Sequence, residues 1–287
     1  MSDNPIPFGR PILDDAVFER VRTVLESGIL VHGEVTPAFE AAFAERIGAA
    51  HAVAVSSCTA GLHLTLFVQG IGPGDRVVVP AMTHVATAHS VELQGAEPVF
   101  VDVDPATGNM DPAALEAVEG PLAAIMPVHY LGLPCDMDRI RAVADAKDAF
   151  VLEDCALAVD ASYGERKAGT LGLAGSFSFY PVKHMTSIEG GMVTTDDEEL
   201  AASLRKRRAF GYNRMLGERA RPGIYDVDAL GFNYRMSEVE AAVGLAQLDQ
   251  LDGFQEARAR NAAQLHAALK GIEGLTLFPL KHGAAIS

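Results

Sequence analysis

One lysine, Lys183, stands in a short polar turn within the stretch Ser-Phe-Ser-Phe-Tyr-Pro-Val-Lys-His-Met-Thr-Ser-Ile-Glu-Gly-Gly (176–191), between apolar, strand-like runs at 175–179 and 192–195. A lysine held at a sheet edge near an apolar floor loses part of its ammonium solvation and becomes nucleophilic enough to form an imine with an aldehyde. Its surroundings favour presentation over mere exposure. Pro181 fixes the approach, Gly190 and Gly191 admit backbone angles that other residues resist, and Ser178 lies five positions upstream. Taken alone, the same lysine reads as a solvated surface residue.

Two further stretches carry groups that such chemistry needs. Asp154 ends the apolar run Phe150-Val151-Leu152-Glu153-Asp154. A carboxylate just past a buried strand can meet the ring nitrogen of a pyridine cofactor and keep it protonated, making the ring an electron sink. Helix capping or a buried ion pair explains that aspartate equally well. The turn Ser56-Ser57-Cys58-Thr59-Ala60-Gly61 follows the β-branched run 51–55 and precedes a helix-like spacing of Leu62, Leu64, Leu66 and Phe67. Backbone amides at that helix start, with the Ser57 and Thr59 hydroxyls, can hold a phosphate. An ordinary N-cap by Ser57 or Thr59 is the plainer alternative.

The elements that must position these groups follow from patterning. Short strand-like runs at 51–55, 76–79, 98–101, 123–126 and 149–152 alternate with helical stretches, which predicts an α/β chain with a mainly parallel sheet wrapped by helices. In such folds active residues sit just past the carboxyl ends of strands. Helices are expected at 12–26, at 37–47, from the 81–87 segment to about Gln94, and at 197–210; the last carries the basic run Arg205-Lys206-Arg207-Arg208, read as a solvated helix end, with phosphate or nucleotide contact as the lesser alternative. A long loop is expected at 211–228, and Ser237 should cap an amphipathic helix bearing Val239, Val243, Ala246, Leu248 and Leu251. A further helix should run to about Lys270.

Composition narrows the functional classes. The chain has 287 residues, 49% hydrophobic and 21% charged, as expected for a globular enzyme with a sizeable core. A net charge of −15 argues against nucleic acid or an anionic membrane surface as partner, so an anionic ligand must be caught locally. The amino terminus shows neither a basic leader nor an apolar run, and a cytoplasmic location is expected. Cys58, Cys135 and Cys155 are odd in number and widely spaced, and the nine histidines form no His-Glu-x-x-His pair, so neither disulfides nor a metal site are expected.

The lysine segment, with Glu189-Gly190-Gly191 behind it, resembles that of the DegT/DnrJ/EryC1/StrS family of sugar aminotransferases. So do Gly231-Phe232-Asn233-Tyr234-Arg235-Met236 and Ser27-Gly28 with Leu30 and Gly33. The resemblance runs from about Pro11 to about Leu269. It implies an aspartate aminotransferase-like (fold type I) large domain over 1–250 and the start of a small carboxy-terminal domain, largely missing, at 251–287. It implies pyridoxal phosphate as cofactor, a nucleotide-linked keto sugar as acceptor, an amino acid, commonly glutamate, as donor, and a homodimer with shared active sites. Carried over by motif, Lys183 is the Schiff-base lysine, Asp154 the partner of the ring nitrogen and His84 the residue stacked on the ring. Ser178, Cys58 and Thr59 contact the phosphate, and Asn233 serves the partner subunit's phosphate.

The chain departs from that pattern in three places. Leu157 stands where relatives carry Gln, Glu or His, His84 where they more often carry an aromatic ring, and the chain stops at Ser287 after Leu277-Phe278-Pro279, read as a first strand of the small domain. Two alternatives follow: a cofactor-binding but impaired or regulatory homologue, and a sugar 3-dehydratase, which the presence of Lys183 opposes because a histidine replaces that lysine in dehydratases.

Overall fold

Alternate residues along the central strands are buried on opposite faces of one sheet, as a side-chain period of two requires. In the computed structural model, which describes residues 9–212 and 226–278, Val53 and Val55 join one core and Ala52 and Ala54 another, and Val77 and Val79 part in the same way from Val78. The strands are β1 (His51–Val55), β2 (Arg76–Pro80), β3 (Glu97–Val101), β4 (Ala124–Ile125), β5 (Phe150–Asp154), the small hairpin β6 (Ser162–Tyr163) and β7 (Arg166–Lys167), β8 (Ala174–Ser178) and β9 (Gly191–Thr195). Seven form one sheet in the order β1-β9-β8-β5-β4-β2-β3. From β3 through β8 every pairing is parallel, and β9 alone runs antiparallel to both of its neighbours. The mainly parallel sheet expected from the sequence is therefore present.

Helices α1 (Asp15–Ser27), α2 (Val35–Ile47), α3 (Cys58–Val68), α4 (Val85–Glu92), α5 (Pro112–Glu116), α6 (Met137–Ala146), α7 (Glu198–Arg207), α8 (Glu238–Asp249) and α9 (Leu251–Leu269) wrap the sheet. On one face Phe39 and Phe43 of α2 stack against Phe177 and Phe179. On the other, α3 supplies Leu62, Leu64 and Leu66 to the core that includes Val53, Val55 and Leu152. Ser237 caps α8 through a capping box with Glu240, as its sequence position predicts. Among the described residues no helix is long and apolar enough to cross a membrane.

Several expectations need correction. The basic run is not a solvated helix end: Arg208 bonds the Glu40 carboxylate and the Ala54 carbonyl, Arg205 donates to the Ala52 carbonyl, and Arg207 lies 5.3 Å over the Phe67 ring. Glu40 is only 7% exposed, and a carboxylate buried that far requires a counter-charge. The helix expected from 81–87 begins at Val85, because His84 accepts from the Ala86 N–H and starts it there. Leu277 and Phe278 lie in irregular chain rather than a strand. Pro279, the tail at 281–287 and most of the expected 211–228 loop lie outside the described residues.

Asp160, with its side chain 13% exposed, joins α2 to β7. Arg46 donates to it through two nitrogens, and Lys167 Nζ lies 2.8 Å from Oδ1. Burial alone would raise the Asp160 pKa, but the hydrogen bonds from Arg46 and Lys167 hold it below the usual carboxylate value. A carboxyl whose folded pKa is depressed contributes stability above its unfolded pKa and loses it as pH falls through the folded one. Asp160→Asn is thus expected to cost about 1–3 kcal/mol at neutral pH. In thermal unfolding, the gap from the parent should close as the pH drops below the ordinary aspartate range.

Candidate active site

The carboxyl end of β5 places Asp154 among donors from three other segments. The carboxylate is 4% exposed. Thr87 on α4 donates to Oδ2 at 2.8 Å, the Ala156 N–H donates to Oδ1 at 3.1 Å, and the Cys58 thiol lies 3.8 Å from Oδ1. Asp154 is therefore neither a helix cap nor a member of a buried ion pair. Its neighbour Glu153 accepts from His129 Nε2 at 2.9 Å and from the N–H groups of Gly169, Leu171 and Gly172. Cys155 lies close to His129 and Glu153, but both ring nitrogens of His129 are engaged, Nδ1 by the Cys135 N–H, so the cluster reads as a hydrogen-bond network.

The start of α3 lies alongside. Ser57 caps it, accepting from the Ala60 N–H at 3.0 Å, which leaves the Ser57 hydroxyl proton available to a ligand. Cys58 and Thr59 occupy the first turn, where N–H groups have no acceptor within the helix. The Cys58 thiol turns inward to the Ser176 carbonyl at 3.4 Å, so this residue can offer an anion only its backbone N–H. Opposite the turn stands Gly191. Its need for glycine is spatial, and this corrects the expectation from backbone angles: a Cβ there would lie 2.5 Å from Cys58 N and from the Ser57 carbonyl carbon. Gly190, at φ +148°, does need the conformational freedom.

Lys183 sits between β8 and β9 in a turn whose N–H bonds the Tyr180 carbonyl at 2.9 Å, while its own carbonyl accepts from Arg258 of α9 at 3.1 Å. Its side chain is half-buried, and the turn borders a cavity of about 260 Å³ shared with Pro11, Phe254 and Asn261. The Cys58 thiol feels the charges of both Asp154 and Lys183. Burial and the Asp154 charge push its pKa well up, whereas the Ser176 contact and the Lys183 charge draw it down.

The remaining residues singled out from the sequence are placed as follows. Ser178 is buried at the end of β8 and accepts from the Tyr180 N–H at 3.4 Å. His84 is exposed at the start of α4, its Nδ1 occupied by the Ala86 N–H at 3.2 Å. Leu157 is half-buried. Asn233 is exposed, and its backbone bridges to Ala209. The adjacent Tyr234 carbonyl accepts from the Ser56 N–H at 2.8 Å, which runs the segment beside the start of α3. Sequence reasoning missed Thr87, Glu153 and His129. The Glu-Asp doublet at the strand end was the one available signal, since one of two adjacent strand residues must face each side of the sheet.

The sequence pattern of the DegT/DnrJ/EryC1/StrS aminotransferase family matches residues 11–285. The chain is 42% identical over 281 residues to the spore coat polysaccharide biosynthesis protein SpsC of Bacillus subtilis, an alignment spanning 96% of the chain and 72% of that protein. It is 41% identical to the GDP-perosamine synthase of Caulobacter vibrioides, spanning 100% and 80%. Among solved structures, the aminotransferase TlmJ from Streptoalloteichus hindustanus superimposes with a TM-score of 0.91 at 35% identity, covering 98% of this chain and 77% of that one. The sugar aminotransferase Spr1654 from Streptococcus pneumoniae, described as putative and solved in a PMP form, gives 0.90 at 28% identity, covering 98% and 75%. A PLP form of the same protein gives 0.88 at 29% identity, covering 98% and 76%.

Gly191→Ala tests how tightly the β9 start and the α3 start are packed. The added methyl must displace the Ser57–Cys58 peptide, so a destabilisation of about 1–3 kcal/mol is expected, together with loss of pyridoxal phosphate affinity. Thermal unfolding and a binding titration check both, and an unchanged affinity would mean that the Ser57–Thr59 turn does not hold the phosphate.

Proposed function

The chain belongs to the DegT/DnrJ/EryC1/StrS aminotransferase family, and on that premise we propose that it transfers an amino group from an amino acid, glutamate foremost, to a keto sugar carried on a nucleotide. The enzyme is a sugar aminotransferase with pyridoxal phosphate as its cofactor. In this reading residues 1–250 form the cofactor-binding domain, 251–287 open a smaller one, and the enzyme works in the cytoplasm in making polysaccharide or secondary-metabolite sugars.

The residues present fit the cofactor. The Asp154 carboxylate and the open N–H groups at the start of α3 lie side by side, with the Cys58 thiol 3.8 Å from the carboxylate, and Lys183 stands in the connection between β8 and β9 at the same edge of the sheet. When bound, pyridoxal phosphate supplies an aldehyde that takes up amines and a ring that accepts the electron pair released at Cα. Lys183 would hold the aldehyde carbon and then, displaced by the donor, carry the proton between the donor Cα and that carbon. Asp154 would keep the ring nitrogen protonated. The N–H groups of Cys58 and Thr59, with the Ser57 and Ser178 hydroxyls, would bind the phosphate, and the exposed His84 would lie against the ring. Asn233, on the surface rather than turned into its own chain, is suited to the phosphate of a partner subunit in a homodimer.

A second cavity, of about 160 Å³, supports anionic reactants. Its lining includes His32, Arg205, Arg208, Arg235 and the Glu238 carboxylate. Arg235 stacks 5.0 Å over Phe210, and its Nε is buried with no hydrogen-bond partner among the described residues. Arg205 and Arg208 are already paired with Glu40, so among the described residues Arg235 is the cation left there to meet a nucleotide phosphate or the carboxylate of the donor. The observation that carries the reading is the Asp154 carboxylate, buried at the carboxyl end of β5 beside the start of α3, with the Cys58 thiol 3.8 Å from it.

Incubation with glutamate and a nucleotide-linked keto sugar should yield the amino sugar, detected by mass. Asp154→Asn should retain cofactor yet slow the glutamate half-reaction on the order of 100-fold. A half-reaction as fast as the parent's would remove Asp154 from the ring. Mixing Lys183→Ala chains with Asn233→Ala chains should restore activity that neither has alone, because one site of the mixed dimer keeps both residues; a tightly binding monomer in sedimentation would contradict the shared site.

A further inference from the structure

Asp154 is oriented by a hydroxyl that none of the sequence motifs marks. Thr87 on α4 is fully buried, and its Oγ donates to Asp154 Oδ2 at 2.8 Å. Thr83 Oγ lies 2.8 Å from Thr87 Oγ. A hydroxyl has one proton to give. Because Thr87 gives its own to the carboxylate, the second contact must be donated by Thr83, and the chain of donors runs Thr83, Thr87, Asp154. On the other oxygen the Ala156 N–H donates at 3.1 Å, while the Cys58 thiol is directed to the Ser176 carbonyl at 3.4 Å. Oδ2 thus accepts one protein hydrogen bond, from Thr87, while Oδ1 accepts from Ala156 with the thiol at 3.8 Å, and rotation of the carboxylate would break the Thr87 and Ala156 bonds at once.

Thr87 is itself fixed. Its N–H bonds the His84 carbonyl at 3.2 Å, and its carbonyl accepts from Ser90 Oγ at 2.8 Å. One turn of α4 therefore carries both His84 and the group that sets the plane of Asp154. We infer that Thr87, backed by Thr83, is a positioning residue that aims the Asp154 carboxylate at the cofactor's ring nitrogen. The inference rests on the assignment of Asp154 as the ring partner.

The test uses the chain loaded with pyridoxal phosphate and three variants: Thr87→Val, which keeps shape and removes the hydroxyl, Thr87→Ser, which restores it, and Thr83→Val. The readouts are the borohydride-reducible link, the pH at which the colour of the bound cofactor changes, and the glutamate half-reaction. All variants should carry the reducible link. Thr87→Val should slow the half-reaction about tenfold or more and shift the colour transition, whereas Thr87→Ser should stay within about twofold of the parent. Thr83→Val should move both readouts in the same direction by less. The inference is overturned if Thr87→Val matches the parent in rate and colour, or if Thr87→Ser is as impaired as Thr87→Val, which would make the role one of packing. If Thr87→Val does not fold, the half-buried Thr83 decides: an unshifted colour transition in Thr83→Val overturns the relay. Failure of the parent chain to form any reducible link would instead remove the cofactor site, and a parent-like half-reaction in Asp154→Asn would remove the Asp154 assignment; both results are read before any threonine variant is compared.

Discussion

Two adjacent carboxylates, Glu153 and Asp154, are buried at the end of β5, 0% and 4% exposed, and neither could stay there without donors of its own. As neighbours on a strand they face opposite sides of the sheet. Glu153 is met by His129 and by three consecutive-region N–H groups at Gly169, Leu171 and Gly172, which folds the connection to β8 back over the strand end. Asp154 is met by Thr87 and Ala156, which brings the first turn of α4 to the opposite side. Breaking either set would leave an uncompensated buried charge, an effect worth several kcal/mol. The requirement that a buried carboxylate be met by donors thus fixes where α4 and two loops must lie, and leaves Asp154 facing the site.

The reversal of β9 does the rest. Since β8 runs parallel to β5, the two strands end at the same edge, and because β9 returns antiparallel to β8, the connection between them must stand at that edge too. Lys183 lies in this connection. Gly191 then lets β9 start against the Ser57–Cys58 peptide, so the amide-lined start of α3 closes on the same edge from the side. Amine, carboxylate and anion-binding turn meet as a consequence of strand order, in keeping with the rule that ligands of such sheets lie beyond carboxyl strand ends.

Much of this was legible in the sequence. β-branched runs located the long strands, and the lysine turn, the strand-end aspartate and the serine-rich helix start each announced a chemistry. What could not be read were partners supplied from far along the chain. Thr87 and Asp154 are 67 residues apart, and Arg208 and Glu40 are 168 apart, so no local spacing reports either bond. For the same reason the basic run looked solvated until Glu40 was seen beneath it. Gly191 looked like a conformational glycine because its neighbour Gly190 is one; only the distance to Cys58 reveals the steric demand.

The central claim is that Lys183 is the amine presented to the cofactor at the Asp154 site. It is tested most directly by adding pyridoxal phosphate to the intact chain, reducing with borohydride, digesting, and locating the pyridoxyl group by peptide mass. The structure predicts one modified peptide, carrying the group on Lys183. A pyridoxyl group on a different lysine, with Lys183 unmodified, would contradict it.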